Sequence, residues 1–162
     1  MQQILIISGD SPTFNLLVGH ALCDRYDRML LIEVSEFQNF IYSGFIADTS
    51  ESEAKRVQNR IVIEGAVATA AAANRAKYGA IIIDNSITLE TLRLYGSAFH
   101  ARGTNEVHFV SLKSSLHGAD SVPEHLGKIT LEYDDPGNYL SVADSIQDLV
   151  GRNETVFSLG FE

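Results

Sequence analysis

The stretch Gln3-Ile4-Leu5-Ile6-Ile7-Ser8-Gly9-Asp10-Ser11-Pro12-Thr13-Phe14-Asn15-Leu16-Leu17 decides how the rest of the chain is read. An apolar run of strand length meets a glycine turn and then residues with helical periodicity. Ser11-Pro12 has the form of an N-cap followed by proline at the first helical position, where the missing N–H costs nothing. The connection between strand and helix is therefore expected to be short and closed.

That expectation matters because a strand, a glycine turn and a helix also introduce phosphate-binding loops. In the pattern G-x-x-x-x-G-K-[ST], the second glycine lets backbone N–H groups curl round an anion. The lysine supplies charge and the hydroxyl holds magnesium. Counting from Gly9, these places hold Phe14, Asn15 and Leu16, none of which can do those tasks. Pro12 donates no N–H and has its φ fixed at about −65°.

The 162 residues suit one domain, long enough to bury a core under a sheet. A hydrophobic fraction of 45% and a mean hydropathy near zero fit a soluble globular protein. The formal net charge of −9, without any cluster of Lys or Arg, disfavours a nucleic-acid partner. The single cysteine, Cys23, excludes an internal disulfide and fits a reducing compartment. No charged-then-apolar leader is visible and no apolar run is long enough to cross a bilayer. The expected location is the cytoplasm, that of the host if the chain is viral.

Taken in order, the first strand is expected over about Gln3 to Ser8. The helix after it carries Phe14, Leu17, Val18, Ala21 and Leu22 on one stripe and runs to about Tyr26-Asp27. The near-continuous apolar run from Arg28 to Val34 reads as a parallel strand covered on both faces. A short helical stretch from Gln38 to Tyr42 follows. The spacing of Ser50 and Glu53 suggests a capping box for a long helix that reaches Lys77 and is stopped by Gly79. Its alanine-rich part, Ala66 to Ala73, reads as a buried face.

A third strand covers Ala80 to Asp84, and Thr88 caps a helix bearing Leu89, Leu92, Tyr95 and Phe99. A fourth strand spans Glu106 to Leu112 and a fifth Lys128 to Tyr133. Asp134-Asp135-Pro136-Gly137 is a turn signal. A last helix, Tyr139 to Val150, turns Leu140, Ala143, Ile146 and Leu149 or Val150 inward. This alternation predicts a three-layer α/β domain over residues 1–150 with a mainly parallel sheet of five strands. The tail, 151–162, carries Val156, Phe157, Leu159 and Phe161, and is expected to form an edge strand or to dock on a partner.

Together these segments resemble the P-loop kinases of the bacteriophage polynucleotide kinase and zeta-toxin type. The resemblance rests on the spacing of Ile4 to Leu17, on Val34-Ser35-Glu36-Phe37-Gln38, on the long helix ending at Tyr78-Gly79, and on the run from Ile82 to Glu90. It implies a P-loop-kinase-like fold but carries little of the chemistry over. The ATP-binding lysine of the family falls at Asn15 and its magnesium hydroxyl at Leu16. Its general base falls at Ser35, with Glu36 the only carboxylate beside it, and a substrate arginine falls at Gln38. The lid has no arginine to offer between Arg102 and Arg152. Of the charged machinery only Asp84 remains.

Phosphoryl transfer is catalysed almost wholly by positioning and electrostatics. One lost contact commonly costs about 10² to 10³ in rate. The joint loss implies a pseudokinase without cofactor that acts by protein binding, assembly or regulation, through a protein partner or its own copies. Gly9, Asp10, Ser11, Asn15, Ser35, Glu36 and Asp84 are the candidates for a vestigial or ligand-binding site.

Two alternatives stand beside this expectation. Gly9-Asp10-Ser11 after a strand looks like the opening block of the GDSL/SGNH hydrolases, with Ser11 as nucleophile. Gly103-Thr104-Asn105-Glu106 would be the second block, and Asp120 and His125 the partners. Alternatively, the helix N-terminus alone takes up an unusual nucleotide or anion. The five histidines show no metal-binding spacing and are expected at exposed positions. Glu36 and Asp84, both at strand ends, are candidates to converge across the top of the sheet.

Overall fold

The computed structural model describes residues 2–47, 52–116 and 129–157. Its elements are β1 (Ile4–Gly9), α1 (Pro12–Cys23), β2 (Met29–Glu33), α2 (Val34–Gln38), α3 (Glu53–Arg75), β3 (Gly79–Ile83), α4 (Leu89–His100), β4 (Val107–Ser114), β5 (Thr130–Tyr133) and α5 (Tyr139–Gly151). A single 3-10 turn, Pro136–Asn138, leads into α5. The strands pair in the order β2-β3-β1-β4-β5, all parallel. No helix among the described residues is long and apolar enough to cross a membrane.

Side chains of alternate residues on the central strands enter two separate cores, as the two-residue period of a strand requires. Ile4, Ile6, Ile82 and Phe109 meet α3 and α4, where Ala66, Val67, Ala70 and Tyr95 are buried. Leu5, Ile7, Ile81 and Val110 meet α1 and α5 through Phe14, Val18, Ala143 and Ile146. Helices therefore cover both faces, as the alternation of strands and helices predicts.

Several local expectations shift. Strand β2 lies at the sheet's edge: Leu30 and Ile32 pack into the core under α3 and Met29 and Leu31 into the core under α1, so both faces are covered as expected, but only Ile32 is fully buried. The short helix begins at Val34, directly off β2, rather than at Gln38. Ser52, not Ser50, caps α3, accepting from Lys55 N at 3.2 Å. Ser50 lies outside the described residues. Leu17, Leu89 and Leu140 are exposed, and Val142 takes the inward place expected of Leu140. The residue that ends α3 in left-handed conformation is Lys77, with φ 68°, rather than Gly79, which opens β3.

Beyond α5 the chain turns back. Phe109 N donates to Thr155 O at 3.0 Å, and Phe157 N donates to Val107 O at 2.8 Å. His108 and Val156 form an antiparallel bridge. This segment lines the part of β4 that β5 leaves open, since β5 pairs only with residues 111–114. Leu159 and Phe161 lie outside the described residues.

Candidate functional site

Strand β1 has β3 and β2 on one side and β4 and β5 on the other, so the chain's winding reverses about it. In open parallel sheets, ligands bind at the carboxyl ends of strands where this happens. Gly9, Asp10 and Ser11 leave β1 at that point, and Asp84 leaves β3 beside them.

The first turn is shut. Ser11 has extended backbone, and its side chain accepts from Phe14 N at 3.3 Å; Pro12 is the first residue of α1. Asn15 is wholly buried. Its amide nitrogen donates to Gly9 O at 3.3 Å and to Asn85 Oδ1 at 2.6 Å. A Cβ on Gly9 would stand 2.4 Å from Leu112 O and 2.7 Å from Asn15 Oδ1, so the turn needs glycine for close approach. Asp10 faces β4 and β5, accepting from Ser114 N at 3.1 Å and from the Tyr133 hydroxyl at 3.3 Å. The Tyr133 ring in turn stacks on Phe14, with centroids 3.7 Å apart.

Asp84 is buried. Tyr95 OH donates to its Oδ2 at 2.8 Å and Ser86 N to its Oδ1 at 3.0 Å. Burial raises its carboxyl above the ordinary range, and the two bonds oppose this without cancelling it. The Tyr95 hydroxyl is held well above its own usual value by burial and by the Asp84 carboxylate.

Asp84 and Ser35 line a cleft of about 450 Å³, with Pro12 as one wall and Gln38, Lys55 and Phe45 among its other residues. Lys55 is the cation here that the sequence did not single out. Its ammonium is committed, donating to Ile46 O at 2.6 Å and lying 5.7 Å from the Phe45 ring. Gln58 holds the same loop by accepting from Ile46 N and donating to Ile46 O. No sequence signal marks Lys55, because it sits in the first turn of an ordinary capped helix. Asn85 belongs to the run that carried the resemblance, but its role emerges only from its contact with Asn15.

Other expected groupings separate. Glu36 is exposed and does not line the cleft; its Oε2 accepts from Asn39 in its own turn at 3.2 Å. It does not converge with Asp84. Residues 103–106 precede β4, which starts level with Ile4, whereas Ser11 follows the other end of β1. The two hydrolase-like blocks thus stand at opposite ends of the sheet. Asp120, His117 and His125 lie outside the described residues. Among the described residues, no group of three or more His, Cys, Asp and Glu side chains could hold a metal ion. His20 and His100 are exposed, but His108 is buried within β4. Burial and the Asp24 charge push the Cys23 thiol up to about 11, so little thiolate exists at neutral pH.

No protein-family model and no curated protein sequence matches the chain. Solved structures do. A tunicamycin resistance protein of Deinococcus radiodurans superposes with a TM-score of 0.65 at 17% identity, over 92% of this chain and 96% of that one. This chain has a P-loop-kinase-like fold. An APS kinase of Mycobacterium tuberculosis, in complex with AMPPNP and APS, gives a TM-score of 0.59 at 14% identity over 92% and 97% of the two chains. A sugar kinase from Janibacter gives 0.55 at 14% identity over 93% and 97%. At such identities the likeness concerns the fold, and the chemistry rests on this chain's own residues.

Proposed function

We propose that this chain is a P-loop-kinase-like protein that does not transfer phosphate and works by holding a protein partner. The observation that carries the reading is Asn15. It occupies the resemblance's lysine position, is buried, and spends both donors of its amide on Gly9 O and Asn85. An amide so placed offers no charge to a triphosphate, and Pro12 withholds the N–H that an anion would need there. Leu16 has no hydroxyl for magnesium.

Support for a protein partner comes from the loop beside the cleft. Phe40 and Tyr42 are 79% and 102% exposed, and Phe45 is 44% exposed. Aromatic side chains of this kind are enriched where interfaces concentrate their binding energy. The occupant of this face is another protein or a second copy of the chain; the acidic balance argues against nucleic acid. The resemblance further suggests a phage-encoded regulator in the host cytoplasm, without a cofactor.

Three measurements test the reading. Mg-ATP is expected to leave the thermal midpoint unchanged, and a 5′-hydroxyl oligonucleotide to remain unphosphorylated. Affinity purification of the native protein is expected to bring down a defined partner, and Tyr42→Ala with Phe40→Ala to lose it. A thermal shift with Mg-ATP or phosphorylation of the oligonucleotide would end the proposal.

A further inference from the structure

At the amino ends of the strands, opposite the cleft already described, segments distant in sequence bring three cations together. Arg25 and Arg28 from the connection between α1 and β2 meet Lys77 from the turn after α3 round a cleft of about 400 Å³. Gln2, Tyr26 and Asp27 complete its lining. Its walls are tied to one another: Gly79 N donates to Arg28 O at 2.9 Å, and the Asn74 amide donates to Gln2 O.

The three cations differ in commitment. Arg25 is clamped against α5, with Nη1 at 2.7 Å from Asp144 Oδ1 and 2.8 Å from Gln147 Oε1, and Nη2 at 3.3 Å from Leu140 O. Its charge is already balanced. Arg28 and Lys77 have no ion-pair partner among the described residues. Asp27 is the one carboxylate of the lining, so the cleft is locally positive on a chain that is strongly negative.

The backbone adds a second observation. Lys77 has φ 68°, in the turn closed by Tyr78 N donating to Ala73 O at 2.9 Å. Glycine is the relaxed occupant of such a position, because a Cβ strains it. Attraction to the helix C-terminus does not explain the lysine fully. Arg75 already supplies a cation to the last turn of α3, and Arg28 approaches from a different element.

We propose that this cleft binds a small organic molecule bearing a phosphate group. The Arg28 fork donates to two oxygens of the anion and Lys77 meets it as a point charge. One dianion satisfies both uncommitted cations. The remaining volume, with Tyr26 among its lining residues, takes the organic body.

The test is a titration of the full chain at low salt with phenyl phosphate and with inorganic phosphate, followed by backbone NMR. Phenyl phosphate is expected to saturate, to bind more tightly than inorganic phosphate, to weaken with added salt, and to shift residues 25–28 and 77. Arg28→Gln and Lys77→Gly are each expected to weaken it at least tenfold. Lys77→Gly relieves the left-handed strain, so its thermal midpoint holds or rises and the loss cannot be assigned to unfolding. The proposal is overturned by an absence of saturable shifts, by shifts centred elsewhere, or by unchanged affinity in both variants. Equal affinity for inorganic phosphate overturns the organic body.

Discussion

Asn15 in the first turn of α1 donates a 2.6 Å hydrogen bond to Oδ1 of Asn85, the second residue after β3. The contact joins the carboxyl ends of two adjacent strands, and a second donor proton of the same amide goes to Gly9 O. Where a phosphate-binding loop would stand open round an anion, the Asn15 amide nitrogen bonds a neutral side chain and a backbone carbonyl, while Asn15 Oδ1 stays buried without a hydrogen-bond partner among the described residues. The strand-to-helix connection is thereby held by the protein alone.

Asn15→Ala should destabilise the fold by about 1–3 kcal/mol, because it leaves the carbonyl of the buried Gly9 without the amide that donates to it. Chemical denaturation measures this. Asn15→Lys is expected to be destabilising too and to gain no thermal shift with Mg-ATP, since Pro12 and Leu16 still withhold the N–H and the hydroxyl. A Mg-ATP shift in that variant would mean the loop needs only its charge restored.

Ser11→Ala should cost about 1 kcal/mol, the usual loss for an N-cap. Fluorophosphonate labelling is expected to be absent in wild type and variant alike. Labelling that vanishes in Ser11→Ala would make this serine a nucleophile instead of a cap.

The start of α1 was legible because Ser11 and Pro12 act locally: a side-chain oxygen and a fixed φ set a helix start whatever surrounds them. The sheet was legible for a similar reason, since runs such as Ile4 to Ile7 and Ile81 to Ile83 fit only strands buried on both faces. Burial on individual helices was less so. Leu17 and Leu140 satisfy the apolar period yet face solvent, because the sheet beneath accepts Val18 and Val142 one or two residues away. The end of α3 was misread for want of any local sign that Lys77 adopts the conformation usually left to glycine. The candidate site was legible only in part. Asp84 and Ser35 share a cleft as strand ends should, but the commitments of Lys55, Glu36 and Asn85 depend on contacts that no spacing rule encodes.

Asp84→Asn should raise stability at neutral pH. Burial holds the folded-state carboxyl above its ordinary value, so the folded state keeps its proton longer than the unfolded chain. Stability from this group is fully present below about pH 3.9 and is lost as pH rises through the raised folded value. Asparagine keeps an acceptor for Tyr95 or Ser86 and removes the buried charge. Denaturation midpoints from pH 4 to 8 should diverge in favour of the variant as pH rises. A variant less stable than wild type at pH 7 would show that the carboxylate has compensation beyond those two bonds.

His108 should act with the opposite sign. Its Nδ1 lies 2.8 Å from Thr155 Oγ1, and burial lowers its basicity, with Glu106 opposing. The unfolded chain takes up a proton near pH 6.5 while the folded state resists, so stability is lost as pH falls from about 6.5 to the depressed folded value. His108→Gln should flatten that slope. Glu106→Gln should deepen it, because it removes the group that favours the imidazolium. An unchanged slope in His108→Gln would assign the acid sensitivity to other groups.

The C-terminal segment offers a test in which two truncations give different answers. Thr155 is buried, Phe157 packs on Phe109 with ring centroids 5.9 Å apart, and two backbone hydrogen bonds tie this segment to β4. Removing residues 153–162 should therefore cost about 2–4 kcal/mol, from roughly two hydrogen bonds and the burial of one aromatic ring. It would also expose the edge of β4 between Val107 and Phe109, and an unpaired edge invites association. Removing only residues 158–162 keeps those contacts and should lower the denaturation midpoint by less than the longer truncation does. If this shorter variant also loses a partner or its own oligomer, Leu159 and Phe161 dock on another chain. Equal destabilisation by both truncations would mean that the contacts of residues 155–157 are not what holds the segment to the sheet.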